Sequence, residues 1–371
     1  MDRILITGGA GFIGSHLADG LINQGYRVRV LDALSEQVHG DIRRPPDYLN
    51  PAVEFVHGDV CDASSVRDAL LNVDAVFHFA AAVGVGQSMY QIERYTDINN
   101  RGTAVLLQCL IEQPVKKLVV ASSMSVYGEG LYRTADGRPC APPERPLTQL
   151  QQGSWELLDE NGDPLHPLPT PESKVTSPAS VYALSKYDQE RLCLLVGQAY
   201  NIPTVALRFF NVYGTRQALS NPYTGVLAIF ASRFLNGNSP LIFEDGEQKR
   251  DFVNVQDVVQ ACVLALERDE AAGRVFNVGS GRSHTVREIA ERMGRLLSRE
   301  EIRPVITRQY RVGDIRHCFA DIGEARSVLG YQPRVDLEEG MGELTEWLKT
   351  QATLDRFEAA NEELSQRGLR L

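Results

Sequence analysis

Two side chains that could move a proton, Tyr182 and Lys186, stand four residues apart in a stretch whose pattern predicts a helix over Ser180–Tyr200. Positions i and i+4 of a helix share one face, so the phenol and the ammonium are expected to be neighbours. A free phenol titrates at about pH 10, and a nearby positive charge lowers that pKa. The pair predicts a tyrosine that acts as a base near neutral pH. A surface aromatic ring beside a solvated lysine is the alternative.

Serine hydroxyls follow the buried run Lys117–Ser122, which reads as a strand. Ser123 and Ser125 come directly after it. Open α/β sheets place their chemistry at the carboxyl ends of central strands. We predict that Ser123 steers the oxygen of a substrate; a serine-rich turn without a chemical role is the alternative.

Glycines recur at three-residue intervals between a predicted strand, Arg3–Thr7, and a predicted helix, Phe12–Gln24. This arrangement lets backbone amides approach a pyrophosphate and lets the helix pack closely on the strand. A carboxylate at the end of the next predicted strand accepts hydrogen bonds from ribose hydroxyls and repels a 2′-phosphate, so NAD is favoured over NADP. An ordinary glycine-rich turn is the alternative. The predicted dinucleotide contacts here are Gly8, Gly11, Phe12, Ile13, Gly14 and Asp32.

The elements that must position these residues alternate between short apolar runs and helical patterns. The predicted strands are Arg3–Thr7, Arg27–Asp32, Val53–His57, Ala75–Phe79, Lys117–Ser122 and Thr204–Phe209. The predicted helices are Phe12–Gln24, Ala63–Leu71, Tyr95–Glu112 and Ser180–Tyr200. This alternation predicts an α/β fold, a Rossmann-type doubly wound parallel sheet with helices on both faces.

The chain is predicted to divide at residue 210. Residues 1–210 are expected to form an NAD-binding Rossmann domain, and residues 211–371 a smaller mixed α/β domain that binds the substrate. Residues 130–178 are dense in proline and glycine, and they are predicted to be an inserted loop or a small excursion, not a domain. Leu354–Arg367 is predicted to be a solvated terminal helix.

Composition limits the partners. The 371 residues carry 38 Lys+Arg against 48 Asp+Glu, a formal charge of −10 without a long basic run. Nucleic acid and anionic membranes are therefore not expected as partners, because both require clustered basic residues. Neither a secretory signal nor a membrane span is visible, which predicts a cytoplasmic protein. The six scattered cysteines read as reduced thiols, and no metal site is predicted because Cys140 and His166 lack ligand spacing.

In this order the motifs resemble those of the extended short-chain dehydrogenases/reductases, the group that includes nucleotide-sugar epimerases and dehydratases. The resemblance covers the chain apart from 130–178 and the extreme C-terminus. It also rests on Gly58-Asp59-Val60, His78-Phe79-Ala80-Ala81, Asn99-Asn100-Arg101-Gly102-Thr103, Arg208-Phe209-Phe210-Asn211-Val212-Tyr213-Gly214, Arg250-Asp251-Phe252-Val253 and Arg311-Val312-Gly313-Asp314. The resemblance implies NAD as cofactor, with further contacts from Asp59, Val60, Phe79, Ala80, Ala81, Asn99, Tyr182 and Lys186.

The same resemblance implies a nucleotide-diphosphate sugar as substrate, bound by Ser123, Ser125, Asn211, Arg250, Arg311 and Asp314. Guanidinium groups bind phosphate oxygens through paired hydrogen bonds, so Arg250 and Arg311 are candidates for a diphosphate clamp. A solvated charge or a structural ion pair is the alternative for each arginine. Phe243 is a candidate for the base-binding wall, although its apolar surroundings favour a core strand.

The positions after Ser123 bear on the reaction. Related dehydratases place an Asp-Glu pair there, whereas this chain has Met124 and Ser125, neither of which serves as the required acid or base. The resemblance therefore implies a 4-epimerase, in which Tyr182 removes the proton of the sugar 4-OH during transient oxidation at C4, with NAD retained. A UDP-glucose/UDP-galactose-type 4-epimerase, an NAD(P)H-dependent 4-ketosugar reductase and a non-enzymatic NAD-binding protein stay open as alternatives.

Two segments narrow the resemblance further. The insertion and the run from Gln217 to Gly225 are similar to those of bacterial dTDP-L-rhamnose 4-epimerases. This implies conversion of dTDP-L-rhamnose into dTDP-6-deoxy-L-talose. The resemblance also implies a homodimer, formed through the helices Tyr95–Glu112 and Ser180–Tyr200.

Overall fold

The structure is a computed structural model that describes residues 1–142, 144–217, 225–311, 313–351 and 357–370. Most of the 217–225 run, Val312 and the first residues of the predicted terminal helix lie outside the described residues.

A parallel sheet of seven strands forms the centre of the described chain, as predicted. In chain order its strands are β1 (Arg3–Thr7), β2 (Arg27–Asp32), β3 (Glu54–His57), β4 (Ala75–His78), β5 (Lys117–Ser123), β9 (Thr204–Phe209) and β14 (Val275–Val278). Their spatial order is β14-β9-β5-β4-β1-β2-β3, and every neighbouring pair is parallel. The order reverses direction beside β1, so the crevice at the carboxyl ends of β1 and β4 is where such sheets bind ligands.

Helices cover both faces of this sheet because its strands are apolar on both sides. The helices of the whole described chain are α1 (Phe12–Asn23), α2 (Glu36–His39), α3 (Ala63–Ala69), α4 (Val85–Ser88), α5 (Ile92–Tyr95), α6 (Gly102–Glu112), α7 (Leu147–Gln151), α8 (Val181–Ala199), α9 (Val226–Leu235), α10 (Val255–Glu267), α11 (Val286–Leu296), α12 (Leu337–Lys349) and α13 (Phe357–Gln366). In β1, Ile4 and Ile6 pack in a core with α1 and α10, whereas Leu5 packs in a second core with α3, α6 and α8. This alternation buries the whole strand.

The predicted helix Tyr95–Glu112 has a different internal structure. It begins at Ile92, with α5, and continues through a π-helical turn at Thr96–Arg101 into α6. Shorter 3₁₀ or π turns also occur at Met124–Tyr127, Asp269–Ala271 and Ala325–Leu329.

The second half of the chain forms small sheets and returns to the large one. Its strands are β10 (Asn211–Tyr213), β11 (Leu241–Ile242), β12 (Lys249–Arg250), β13 (Phe252–Asn254), β15 (His284–Thr285), β16 (Val305–Ile306) and β17 (His317–Cys318). A separate core joins α9, α11 and α12. However, α10 packs on α1 and β14 is an edge strand of the large sheet. The predicted domain boundary at residue 210 stays a prediction. In the second part, α10 and β14 pack with elements of the first part.

The insertion has more structure than the predicted loop. β6 (Leu131–Arg133) pairs antiparallel with both β7 (Pro139–Cys140) and β8 (His166–Leu168). A small core of Tyr132, Leu157 and Leu165 lies against this sheet. These strands are two or three residues long, too short for sequence periodicity to reveal.

The terminal helix forms as predicted over α13, but part of its surface is buried instead of solvated. Asn361 and Leu364 are buried. The Tyr90 hydroxyl donates to Glu363 Oε2 at 3.0 Å, and the Arg367 guanidinium lies 4.3 Å from the centre of the Tyr90 ring. Within the described residues, no helix is both long and apolar enough to cross a membrane.

Candidate active site

The turn between β1 and α1 brings three backbone segments close together. Gly8 has a φ of +68°, and a Cβ on it would lie 2.8 Å from the backbone N of Ala80. A Cβ on Gly14 would lie 2.7 Å from Gly8 O. Gly11 precedes α1 and has no side chain to cap the first N–H groups of the helix, which leaves them to face an anion. The turn therefore fits a pyrophosphate, as the glycine spacing predicts.

Asp32 closes this region at the end of β2. Its carboxylate accepts the N–H of Ala10 at 3.0 Å and of Leu34 at 2.9 Å, which fixes its orientation. The side chain lies in the wall of the same cavity as the glycine turn. A carboxylate at this position suits ribose hydroxyls and disfavours a 2′-phosphate.

The carboxyl ends of the strands surround a cavity of about 460 Å³. It brings together most of the predicted cofactor contacts, namely Gly8, Gly11, Phe12, Ile13, Gly14, Asp32, Asp59, Val60, Phe79, Ala80, Ala81, Tyr182 and Lys186. The glycine cradle at one part of this cavity and the carboxylate of Asp32 at another are the groups that a dinucleotide needs. The residues present therefore fit NAD.

Asn99 is the predicted cofactor contact that does not line this cavity. Its side chain accepts the N–H of Ala82 at 2.7 Å and donates to Ala82 O at 3.1 Å and to Ser185 Oγ at 2.8 Å. It thus ties the segment after β4 to α8. Asn99 positions the cavity wall from behind.

Ser123 and Tyr182 meet at the carboxyl end of β5. Ser123 is the last residue of β5, and its Oγ accepts the Ser125 hydroxyl at 2.9 Å. Tyr182 stands in the first turn of α8, which Ser180 caps by accepting the N–H of Ala183 at 3.1 Å. Burial raises the pKa of the Tyr182 phenol, and a hydrogen bond with Ser123 opposes this rise. The predicted lowering of this pKa is therefore not what the protein's own groups produce.

Lys186 lines the cavity one helical turn beyond Tyr182. Burial lowers the pKa of its amine to about 8. Its Nζ donates to Gln189 Oε1 at 2.7 Å. Gln189 was not predicted from the sequence, although a spacing of three residues places the Gln189 and Lys186 side chains on one face of α8.

Two buried oxygen atoms in the cavity wall suit a polar ligand. Within the described chain, Asn211 Oδ1 and Gln217 Oε1 are buried and have no hydrogen-bond partner. Both residues line the cavity. An unsatisfied buried acceptor costs free energy, and a ligand hydroxyl would remove that cost. Asn211 was predicted as a substrate contact, whereas Gln217 was not.

The remaining predicted substrate residues form a cluster outside the cavity lining. Asp314 Oδ2 lies 3.1 Å from Arg311 Nη2, and Asp314 Oδ1 lies 3.8 Å from Arg250 Nη2. Burial raises the pKa of the Asp314 carboxyl, but the nearby arginines outweigh it and lower the pKa overall. The Arg311 guanidinium also lies 4.5 Å from the centre of the Phe243 ring. Ser125 likewise lies outside the lining and contacts Ser123.

A buried charge cluster centred on Arg316, near Arg311 and Asp314 in the chain, was not predicted from the sequence. Arg316 is fully buried and contacts the carboxylates of Glu156, Glu244 and Asp245. Arg145, from the insertion, donates to Glu244 Oε1 at 2.9 Å. The cluster joins the insertion to the part of the chain that carries Arg311 and Asp314.

This fold and this cavity define an NAD-dependent enzyme of the extended short-chain dehydrogenase/reductase class. The chain belongs to the NAD dependent epimerase/dehydratase family, whose model matches residues 4–149 and 150–279. It is similar to the dTDP-L-rhamnose 4-epimerase of Burkholderia thailandensis, with 35% identity covering 95% of this chain and 96% of that protein. A putative UDP-glucose 4-epimerase of Methanocaldococcus jannaschii is also 35% identical, over 93% of this chain and 98% of its own.

Solved structures agree with this assignment. The UDP-glucose 4-epimerase of Thermotoga maritima, solved with UDP-glucose, superposes with a TM-score of 0.76 at 32% identity. The superposition covers 94% of this chain and 98% of that one. The protein is therefore an isomerase of the epimerase type, built on the predicted fold.

Proposed function

We propose that the protein is a 4-epimerase that converts dTDP-L-rhamnose into dTDP-6-deoxy-L-talose. One observation carries the reaction type: Ser123, Tyr182 and Lys186 share a cavity with the glycine turn. The two residues after Ser123 are Met124 and Ser125, so the chain lacks an acid–base pair for dehydration at that place. The Burkholderia thailandensis relative, matched over 95% of this chain, supports the choice of sugar.

The residues of the chain take the following roles. Bound NAD⁺ supplies the group that accepts and returns a hydride at C4 of the sugar. Tyr182 removes the proton from the 4-OH, directly or through Ser123, when the positive charges of Lys186 and of the bound nicotinamide ring offset the rise that burial gives its pKa, and it returns the proton after the sugar has turned. The unpaired side-chain oxygens of Asn211 and Gln217 accept hydrogen bonds from hydroxyl groups of the ligand. Arg250 and Arg311 bind the diphosphate through their guanidinium groups.

A UDP-glucose-type 4-epimerase is the second candidate. The Methanocaldococcus jannaschii relative and the Thermotoga maritima structure favour it, because each carries that name and matches at least 93% of this chain. The residues assigned above serve either sugar.

The deciding experiment offers the purified protein each nucleotide sugar without added coenzyme and identifies the products by NMR. We expect dTDP-L-rhamnose to be epimerised at C4. Turnover of UDP-galactose alone would replace the proposed substrate with the second candidate. In a separate assay with a 4-keto nucleotide sugar and added NAD(P)H, stoichiometric consumption of the coenzyme would instead indicate a reductase.

Tyr182→Phe supplies the test of mechanism. Removing the acid–base hydroxyl is expected to lower kcat about 100-fold or more, because general acid–base catalysis contributes about 10²- to 10⁴-fold. Retained NAD and an unchanged Tm would show that the variant is folded. A variant as active as the wild type would overturn the proposed mechanism.

A further inference from the structure

A buried chain of polar side chains lies behind Lys186, on the side away from the cavity. Gln189 is fully buried, and its Oε1 accepts the Lys186 ammonium at 2.7 Å. Its Nε2 donates to Thr103 Oγ1 at 2.8 Å. His78 is also fully buried and lies 2.8 Å from Thr7 Oγ1 and 2.9 Å from Thr103 Oγ1. The roles assigned above use none of these contacts except that of Lys186 itself.

Two arrangements of donors and acceptors fit the groups around His78, because Gln189 Nε2 also lies 3.3 Å from His78 Nε2. Thr7 Oγ1 accepts the backbone N–H of Phe79 at 3.2 Å and of Ala80 at 3.3 Å and lies 2.8 Å from His78 Nδ1. His78 is neutral, because burial and the Lys186 charge lower its pKa to about 3. With its proton on Nε2 it donates to Thr103 Oγ1, and with its proton on Nδ1 its Nε2 accepts from Gln189 Nε2.

The Thr103 hydroxyl determines which end of the Gln189 amide faces it. This hydroxyl donates to Asn99 O, so Thr103 Oγ1 can only accept from the two groups that face it. One of these is the amide nitrogen of Gln189, which places the amide oxygen of Gln189 against Lys186. A flipped amide would put two donors together at Lys186 and an unbonded acceptor at Thr103. Thr103 thus fixes the orientation of Gln189 with either tautomer of His78.

We propose that Gln189 is a positioning residue that keeps Lys186 protonated and directs it, with the orientation of Gln189 set by Thr103. The inference rests on the proposed function in so far as Lys186 acts there. In a fully buried site an ammonium needs acceptors, and Gln189 supplies a neutral one. A neutral acceptor stabilises the positive charge and leaves its electric field at the cavity intact. A carboxylate in its place would cancel much of that field.

Other charged and titratable groups around Lys186 do not take over this role. Cys193 stays a neutral thiol, because burial raises its pKa to about 12. Glu190 is bound by Arg208 at 2.7 and 2.9 Å and by the Ser122 hydroxyl at 2.6 Å. His78, which senses the Lys186 charge, is neutral, and the Asp188 carboxylate is bonded to Asn100.

The test measures the protonation of Lys186 directly. Competitive labelling with acetic anhydride, read by peptide mass spectrometry over a pH series, gives the midpoint at which the Lys186 amine becomes reactive. Gln189→Met removes the acceptor and should lower this midpoint by about one to two pH units, the size expected for a hydrogen bond to a charged group. Gln189→Glu adds a negative charge and should raise it. Gln198→Met, an exposed glutamine of the same helix, is the matched control and should leave it unchanged.

Opposite shifts in the two Gln189 variants would support the inference, because loss of packing alone cannot raise the midpoint in one and lower it in the other. If Gln189→Met fails to fold, Gln189→Leu also removes the acceptor and should lower the midpoint in the same direction. Unchanged midpoints in the folded variants would overturn the inference, whatever the substrate is. Shifted midpoints without turnover of any nucleotide sugar would leave the role of Gln189 intact and refute the proposed function. In an active enzyme, the alkaline limb of the kcat profile should move with the labelling midpoint.

Discussion

At the scale of single residues, Gly8 shows how two separate costs exclude a side chain from the cofactor turn. Its φ of +68° is strained for other residues, and a Cβ would also lie 2.8 Å from the backbone of Ala80. Gly8→Ala should therefore destabilise the protein and weaken NAD binding. We expect a loss of more than about 2 kcal/mol in the free energy of unfolding, since the φ alone costs about 1–2 kcal/mol.

Gly40→Ala is the matched control for this prediction. Gly40 has nearly the same φ, +69°, but a Cβ there would meet nothing within 4 Å. The difference between the two variants in urea unfolding isolates the close approach of the backbone. Equal losses, with NAD affinity intact in both, would show that the approach to Ala80 does not matter.

Two groups of residues that the sequence predicted have their partners near them in the chain. Tyr182 and Lys186 are four residues apart, and Gly8, Gly11 and Gly14 share one turn, so local spacing was sufficient. The pKa of the Tyr182 phenol was not predictable in this way. Its direction depends on burial by distant elements, and burial outweighs the hydrogen bond with Ser123.

At the scale of elements, the insertion is joined to the second half of the chain through Arg316. The guanidinium is fully buried and contacts Glu156 in the insertion as well as Glu244 and Asp245. Removing one partner of a buried ion cluster leaves uncompensated charge, which costs about 3–5 kcal/mol. Arg316→Met should therefore lower the free energy of unfolding by about that amount, as measured by urea denaturation.

An exposed arginine of the same insertion provides the comparison. The side chain of Arg138 is 77% exposed and pairs with Asp136 in solvent, so Arg138→Met should cost less than about 1 kcal/mol. Similar losses in the two variants would contradict the role given to Arg316. Sequence could not reveal this cluster, because Arg316 lies 160 residues from Glu156 and 72 from Glu244. The short strands of the insertion escaped detection for another reason, since strands of two or three residues show no periodicity.

At the scale of the whole molecule, the parallel sheet was predictable and its far edge was not. Strands such as β1 and β5 are buried on both faces and read as continuous apolar runs. β14 belongs to the same sheet but comes after a long excursion into the smaller sheets. It pairs with β9 over Val275–Val278, and that pairing ties the second half of the chain to the first.

The assembly of two chains is the remaining prediction at this scale. Leu184 and Leu195 on α8 are 58% and 54% exposed, and their separation of eleven residues, about three turns, places them on one face of the helix. Ile111 on α6 is 38% exposed. Exposed apolar side chains aligned along a helix face are typical of an interface between subunits.

Light scattering coupled to size exclusion measures the mass of the assembly. We expect the wild type to be a dimer, and the double substitution Leu184→Glu with Leu195→Glu to give a folded monomer, because two carboxylates per chain would have to be buried at the interface. Val175→Glu alters a side chain that is 78% exposed but lies outside these helices, so it should stay dimeric. A double variant that remains a dimer would place the interface on another surface, and a monomeric wild type would refute the predicted assembly.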